Sequence, residues 1–313
     1  NAGSYFVIVQ NSIGSLVSSN ATLGVIHDTA WGDNLFGQGS SSGLGANLIA
    51  IAAGTWHNLG LAADGVVIAW GEDSNGQCNV PAGLAGALAV AAGGYHSLAI
   101  RANGTVIAWG ANDCGQTNVP AGLADVIGIA AGTWHSVALR ANGTVVAWGD
   151  NSYGQCSTPA GLTNVITIAA GGNHTLALKA DGTVVAWGEN TDAEGNPAGQ
   201  SVVPLSLTSV IAIGAGDYHS LAVKADGTVV AWGDDSQNQC GVPSGLTNIV
   251  AVAGGGGHSV ALAADGTVTA WGADWSGLCD LPSPLTAISG IAAGESHTAV
   301  MLADCIPVPR LLS

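Results

Sequence analysis

Seven histidines, His57, His96, His135, His174, His219, His258 and His297, each precede a serine, threonine or asparagine, and acids stand close by in the chain. A histidine beside a hydroxyl with a carboxylate at hand is the raw material of a Ser-His-Asp triad, and a set of histidines is that of a metal centre. Neither chemistry survives the spacing. Consecutive histidines are 39 residues apart, except for one step of 45 between His174 and His219. A Trp-Gly pair at Trp31, Trp70, Trp109, Trp148, Trp187, Trp232 and Trp271 keeps the same spacing, with its long step in the same place. A site written seven times is a building block, and a ring of equivalent positions is too wide for one ion. Each serine also follows its own histidine along a strand and so points to the opposite face. The histidines are therefore expected to be scaffold, their nitrogens met by neighbouring backbone, and the tryptophans to be packing between repeats. No catalytic residue, metal site or cofactor is expected.

The cysteines read the same way. Cys78, Cys156, Cys240 and Cys279 each fall eight residues after the tryptophan of their repeat. Equivalent points on neighbouring repeats lie beyond the roughly 7 Å Cα limit of a disulfide, so these four are expected to be small buried apolar residues. Cys114 and Cys305 are off register and are left unassigned.

The elements around these residues are short strands. "VITIAAGGNHTLALKADGTVVAWGEN" holds an Ala- and Gly-rich strand that suits a crowded axis, then an alternating strand opened by His174, then Asp-Gly and "TVVAWG". Asp-Gly and Asn-Gly between β-branched runs predict a hairpin whose two central residues take positive φ. A fourth strand is expected in segments such as "QCNVP" at 77 to 81. Four antiparallel strands about every 40 residues make a propeller blade. Seven repeats, of which one carries a six-residue insertion at 189 to 200, give an all-β, seven-bladed propeller over residues 26 to 304. The last histidine unit stops at Asp304 and the first Trp-Gly is preceded by "VIHDTA", so the seventh blade is expected to be shared between the two ends of the chain.

Composition excludes several partners. A net charge of −16 from five Lys plus Arg disfavours nucleic acid, which needs a basic patch, and anionic membrane surfaces likewise. No apolar run reaches the 18 residues or so of a membrane span, so no membrane insertion is expected. No leader is visible at the N-terminus, and any signal peptide is expected to be removed or to lie outside this sequence.

The units "AGxxHSxALxADGTVVAWGxNxxGQ" resemble the repeats of the regulator of chromosome condensation (RCC1) family, over roughly residues 26 to 304. The resemblance implies a seven-bladed β-propeller. The family includes nucleotide-exchange factors, a plant photoreceptor and bacterial β-lactamase-inhibitor propellers, and the "GQ…VPAGL" ending is most similar to the bacterial members. In the inhibitor relatives the partner meets the loop before the second strand, where Trp56, Tyr95, Trp134 and Tyr218 stand here; Asn173, Gly257 and Ser296 depart from that pattern. Residues 1 to 25 resemble the last two strands of an immunoglobulin-like domain, with Tyr5 in the place of the corner tyrosine, and 305 to 313 form a tail. Bacterial chains built this way imply export, so the expected location is extracellular or at the cell surface.

Successive loops of an antiparallel blade alternate faces. One set of loops holds Trp56, Tyr95, Trp134 and Tyr218 together with Phe36, Tyr153 and Trp275, and many acids, Asp217 and Glu295 among them, without one Lys or Arg. Arg101, Arg140, Lys179 and Lys224 instead precede the hairpin tips. Aromatics among carboxylates suit a protein-binding surface, so these residues are the expected contact for a protein partner with a basic patch. Alternatives stay open: the rings could fold inward as plugs over the channel, and the chain could be a glycan-binding or purely architectural surface module. Exchange-factor, inhibitor or enzymatic activity has less behind it. Asp192 and Glu194 in the insertion could hold calcium but read better as a plain acidic loop.

Overall fold

The computed structural model describes residues 28–40, 48–283, 285 and 287–302, and four short strands nearer the N-terminus. Those four are β1 (Gly3–Tyr5), β2 (Ile8–Asn11), β3 (Gly14–Val17) and β4 (Ala21–Leu23), with β1 antiparallel to β4 and β2 to β3. The side chain of Tyr5, Cys305 and the expected tail lie outside the described residues.

From β5 (Asp28–Gly32) onward every sheet has three antiparallel strands. The pattern is set by β6 (Leu48–Ala53), β7 (His57–Ala62) and β8 (Val67–Gly71), paired in that order. It recurs up to β24 (Ile288–Ala293) and β25 (His297–Leu302), and there the third strand is β5, with Thr298 opposite Trp31. Seven sheets result, and the last is assembled from the two ends of the chain. The propeller and its closure are as the repeat predicts.

Two local expectations are corrected. The hairpin is a three-residue turn: Gly65 N–H donates to Ala62 O and Ala62 N–H to Val66 O, both at 2.9 Å. Only the glycine takes positive φ, +80° at Gly65. The preceding Asp64 is used instead for its carboxylate, which accepts the Val66 N–H at 3.1 Å. The second correction concerns the fourth strand, which does not form in the described residues. In "QCNVP" the Val80 N–H closes a tight turn onto Cys78 O, and the Gln77 carbonyl is taken by side chains of the next blade, so the segment has no ladder to offer.

The core lies between blades. Middle strands are buried along their whole length, as at His57–Ala62. The Trp-Gly tryptophans close each seam: Trp109 packs on Leu59, Leu61 and Val67 of the preceding blade and donates its indole N–H to Gln77 O at 2.8 Å. Nearer the axis, glycines permit the approach. A Cβ on Gly54 would lie within 3 Å of the Gly93 carbonyl, and the relation passes through Gly132, Gly171, Gly216 and Gly255 to Gly294, whose Cβ would strike the Gly54 carbonyl. That sequence of contacts is a closed ring of seven.

The hairpin-tip face is not featureless. Each inner strand opens with a β-bulge, and the bulged residue is exposed, giving Ile49, Leu88, Ile127, Ile166, Ile211 and Val250 around that face.

Candidate functional site

The histidines form a second closed ring. His57 Nε2 meets Ser97 Oγ of the next blade at 3.0 Å, and Ser97 donates onward to Gln77 O at 2.9 Å. The same pair of bonds joins His96 to Ser136, His135 to Thr175, His174 to Ser220 and His219 to Ser259, and His258 Nε2 meets Thr298 Oγ1 at 2.8 Å. At the closure His297 Nε2 meets Asn58 Oδ1 at 2.8 Å, and the amide N–H of Asn58 donates to Gln38 O. Asparagine can stand in because it carries both an acceptor and a donor. Since the hydroxyls of Ser97, Ser136, Thr175, Ser220 and Ser259 spend their protons on carbonyls, Nε2 must carry the proton of the histidines they meet. Nδ1 has no hydrogen-bond partner and packs against the Cα of the glycine three residues earlier. The expectation that backbone groups satisfy both nitrogens is thus replaced by a hydroxyl of the neighbouring blade for one nitrogen and none for the other. Burial holds these imidazoles well below their ordinary range, at about 3 for His135. His135 and Ser136 are fully buried, and no acid holds Nδ1, so these His-Ser pairs cannot serve as nucleophile and base.

Most acids on the same face are loop staples. Asp150 accepts the Ser152 N–H and hydroxyl on one oxygen and the Gln155 side chain on the other. Asp33 and Asp234 likewise accept the N–H two residues on with one oxygen and the glutamine five residues on with the other, and Glu72 accepts from Ser74 and Gln77. Asp73, Asp235 and Asp274 each accept the N–H of the cysteine five residues on. Those cysteines are half-buried, not buried apolar fillers as expected: Cys78, Cys156 and Cys240 donate their thiols to the carbonyl six residues back at 3.2, 3.0 and 3.2 Å. Burial pushes the Cys78 thiol up to about 12. In the insertion, Asp192 is occupied by the N–H groups of Glu194 and Asn196 and by the Asn196 side chain. No group of three His, Cys, Asp or Glu among the described residues could hold a metal ion.

What remains is the mouth of the central channel. It is lined by the glycine ring, by the residue before each of those glycines, such as Ala53 and Ala92, and, among the residues that follow them, by Thr55, Gly94, Thr133, Asp217 and Glu295. The cavity so formed holds about 70 Å³. Outside it stands the residue before each histidine. Trp56, Tyr95 and Trp134, from three consecutive blades, are half-buried and touch in series, with Trp56–Tyr95 centroids 5.8 Å apart edge to face and Tyr95–Trp134 stacked at 5.0 Å. Phe36 extends the arc to Trp56 at 5.5 Å. Four of the seven expected aromatics therefore form one continuous surface. Tyr218 and Tyr153 lie elsewhere on the ring, close enough that Tyr153 is among the groups raising the Tyr218 phenol. Trp275, 59% exposed, leans over Gly257, where a Cβ would lie 2.8 Å from its ring, so it covers the spot left empty by the missing aromatic.

Asp217 and Glu295 are the two carboxylates of the mouth. Burial, then the nearby Glu295, pushes Asp217 up to about 7. Glu295 is also raised by burial, with the Thr55 hydroxyl acting against it. Tyr95 and Tyr218 come from blades well apart on the ring; burial raises both phenols, followed by Glu295, Glu72 and Asp217 for Tyr95 and by Asp217, Glu189, Tyr153 and Glu295 for Tyr218. Thr55 and Thr133 were not foreseen as mouth residues; the signal was their place two residues before a histidine, in register with Asp217 and Glu295. The described bases sit at the far face, where Lys179 and Lys224 pair with Asp181 and Asp226 at 3.0 Å and Arg140 lies 3.9 Å from Asp125.

Comparison with known proteins follows this geometry. Six segments, 48–77, 88–116, 126–155, 165–194, 210–239 and 249–274, match the regulator of chromosome condensation (RCC1) repeat. Among solved structures the chain is similar to Prp20p from Saccharomyces cerevisiae, with a TM-score of 0.73 at 19% identity over 89% of this chain and 92% of that one. Human WBSCR16 gives 0.69 at 17% over 90% and 99%. The ectodomain of the Physcomitrella patens receptor kinase CR4 gives 0.68 at 22% over 84% and 72%. No curated protein sequence matches the chain.

Proposed function

The chain belongs to the RCC1-repeat family, and from that premise we propose that it is a non-enzymatic propeller that binds a protein partner through its acidic aromatic face. The observation that carries this reading is the unbroken contact series Phe36, Trp56, Tyr95 and Trp134 beside the carboxylate-lined mouth. Rings that remain half open in one continuous arc are the anchors a protein interface uses. Prp20p is described by its binding to Gsp1p and histones, which supports partner binding as a use of such propellers. A glycan platform has less support, because Tyr95 and Trp134 turn their faces to each other. An enzymatic role has less support because the repeated His-Ser pairs are buried.

The finer reading is a bacterial surface or secreted module, with residues 1–25 as the end of an immunoglobulin-like domain ahead of the propeller. The partner is expected to carry a basic patch, since the mouth and its surroundings hold acids and no base among the described residues, and binding is expected to weaken with salt. The test is affinity capture from a cell-surface extract, comparing the native protein with a folded Trp56→Ala, Tyr95→Ala, Trp134→Ala, Tyr218→Ala variant. A protein retained by the first and lost by the second supports the reading. Equal capture by both, or none by either, overturns it in favour of an architectural spacer.

A further inference from the structure

We propose that the mouth of the central channel is a socket for one cationic side chain, a lysine or arginine projecting from the docked protein. This rests on the reading that the aromatic face binds a protein, and it adds the chemistry of the central contact. The first support is shape. The inner strands narrow to a cavity of about 70 Å³ lined by the glycine ring, the alanines beside it and Thr55, Thr133, Asp217 and Glu295, several times the roughly 10–15 Å³ of such space that one water needs, so the head of a single side chain fits.

The second support is charge. The outer-loop acids spend their oxygens on their own loops, as Asp150 and Asp234 do. Asp217 differs, because among the described residues no hydrogen-bond donor meets its carboxylate and its environment is burial plus Glu295. Asp217 and Glu295 are both half-buried, and two carboxylates sharing one mouth are costly until a cation joins them. The described residues supply none: their bases are on the opposite face, three of them beside acids of their own.

The repeat itself provides a safe variant. Threonine already occupies the equivalent positions at Thr55 and Thr133, so Asp217→Thr with Glu295→Thr removes the charge and keeps a residue the blade accommodates. The probes are the capped peptides acetyl-Gly-Lys-Gly-amide and acetyl-Gly-Arg-Gly-amide, with the Nε-acetylated lysine peptide as control, followed by carbon-detected NMR of the side-chain carboxylates. At about 10 mM peptide, a cationic probe is expected to shift Asp217 and Glu295 selectively, the acetylated control to shift neither, and the double variant to bind at least tenfold more weakly. Three results overturn the socket: no shift at either carboxylate, equal shifts with the neutral control, or shifts spread over Asp73, Asp235 and Asp274 that persist in the variant. Capture separates this inference from the one beneath it. If the four-alanine variant loses the partner and the threonine variant keeps its full affinity, the docking face stands and the socket falls. If the four-alanine variant keeps the partner, the docking face falls first.

Discussion

Acid should dismantle this propeller abruptly, and the histidine ring sets where. Six of the seven ring imidazoles are held at about 3, and His258 at about 4, against 6.5 for an unburied histidine. A base whose pKa is lowered on folding stabilises the fold above the unfolded value and withdraws that stability as pH falls, because the unfolded chain takes up the protons. At pH 5.5, one unit below 6.5, each ring histidine costs about 1.4 kcal/mol, and seven cost about 10 kcal/mol together. That is the size of the whole stability of an ordinary domain, about 5 to 15 kcal/mol. The raised carboxyls of Asp217 and Glu295 act the other way in this range, but they are two against seven. Unfolding is therefore expected between about pH 5 and 6, with several protons taken up together. Near-UV circular dichroism against pH, with denaturant titrations at each pH, measures both the midpoint and the proton count. His135→Gln, which retains a donor toward Thr175, should lower the midpoint and reduce the uptake by about one proton. Native near-UV signal at pH 4, or a steepness that His135→Gln leaves untouched, would refute the reasoning.

Other consequences follow from single repeats that break the common pattern. Gln116 Nε2 is buried without a partner because Ala111 stands where other loops place an acid; Ala111→Asp is expected to add about 1 kcal/mol, read from urea midpoints, and no gain would mean the amide is already satisfied. After Trp271 the same two positions hold Ala273 and Leu278, an apolar pair that leaves nothing unsatisfied, so Ala273→Asp should destabilise. Ala287 is held at φ +57° where other blades place Gly86, Asn164 or Asn248, so Ala287→Gly should raise stability by about 1 kcal/mol, visible as a higher thermal midpoint. Asp217, raised to about 7, stabilises below its unfolded pKa and loses that contribution as pH rises through 7. Asp217→Thr should therefore gain about 1 to 2 kcal/mol at pH 8 relative to the native protein, after screening at the open mouth, and little at pH 4; an equal effect at both would place the carboxyl in ordinary water.

Much of this architecture was legible because it is periodic. Seven copies of one unit, 39 residues apart at every step but one, gave the blade count, and the complementary ends gave the shared seventh sheet, confirmed by Thr298 opposite Trp31. What was missed depends on contacts between repeats, which a pattern within one repeat does not contain. Ser97 was rightly kept from its own His96, yet it serves His57 of the preceding blade. The acids were legible as a face but not as individuals, since Asp150 and Asp217 look alike in sequence and only the fold separates a staple from an unspent carboxylate. The fourth strand failed for a related reason: the Gln77 carbonyl, which a ladder would need, is claimed by Trp109 and Ser97.

The central claim, that a protein docks on the aromatic mouth, is tested most directly by hydrogen exchange on the captured complex. The account predicts slowed exchange in the loops at 54–57, 93–96 and 132–135 and at 35–38, with the hairpin tips at 102–105, 141–144 and 181–183 unchanged. Protection confined to those tips, beside the aliphatic ring of the opposite face, would contradict it.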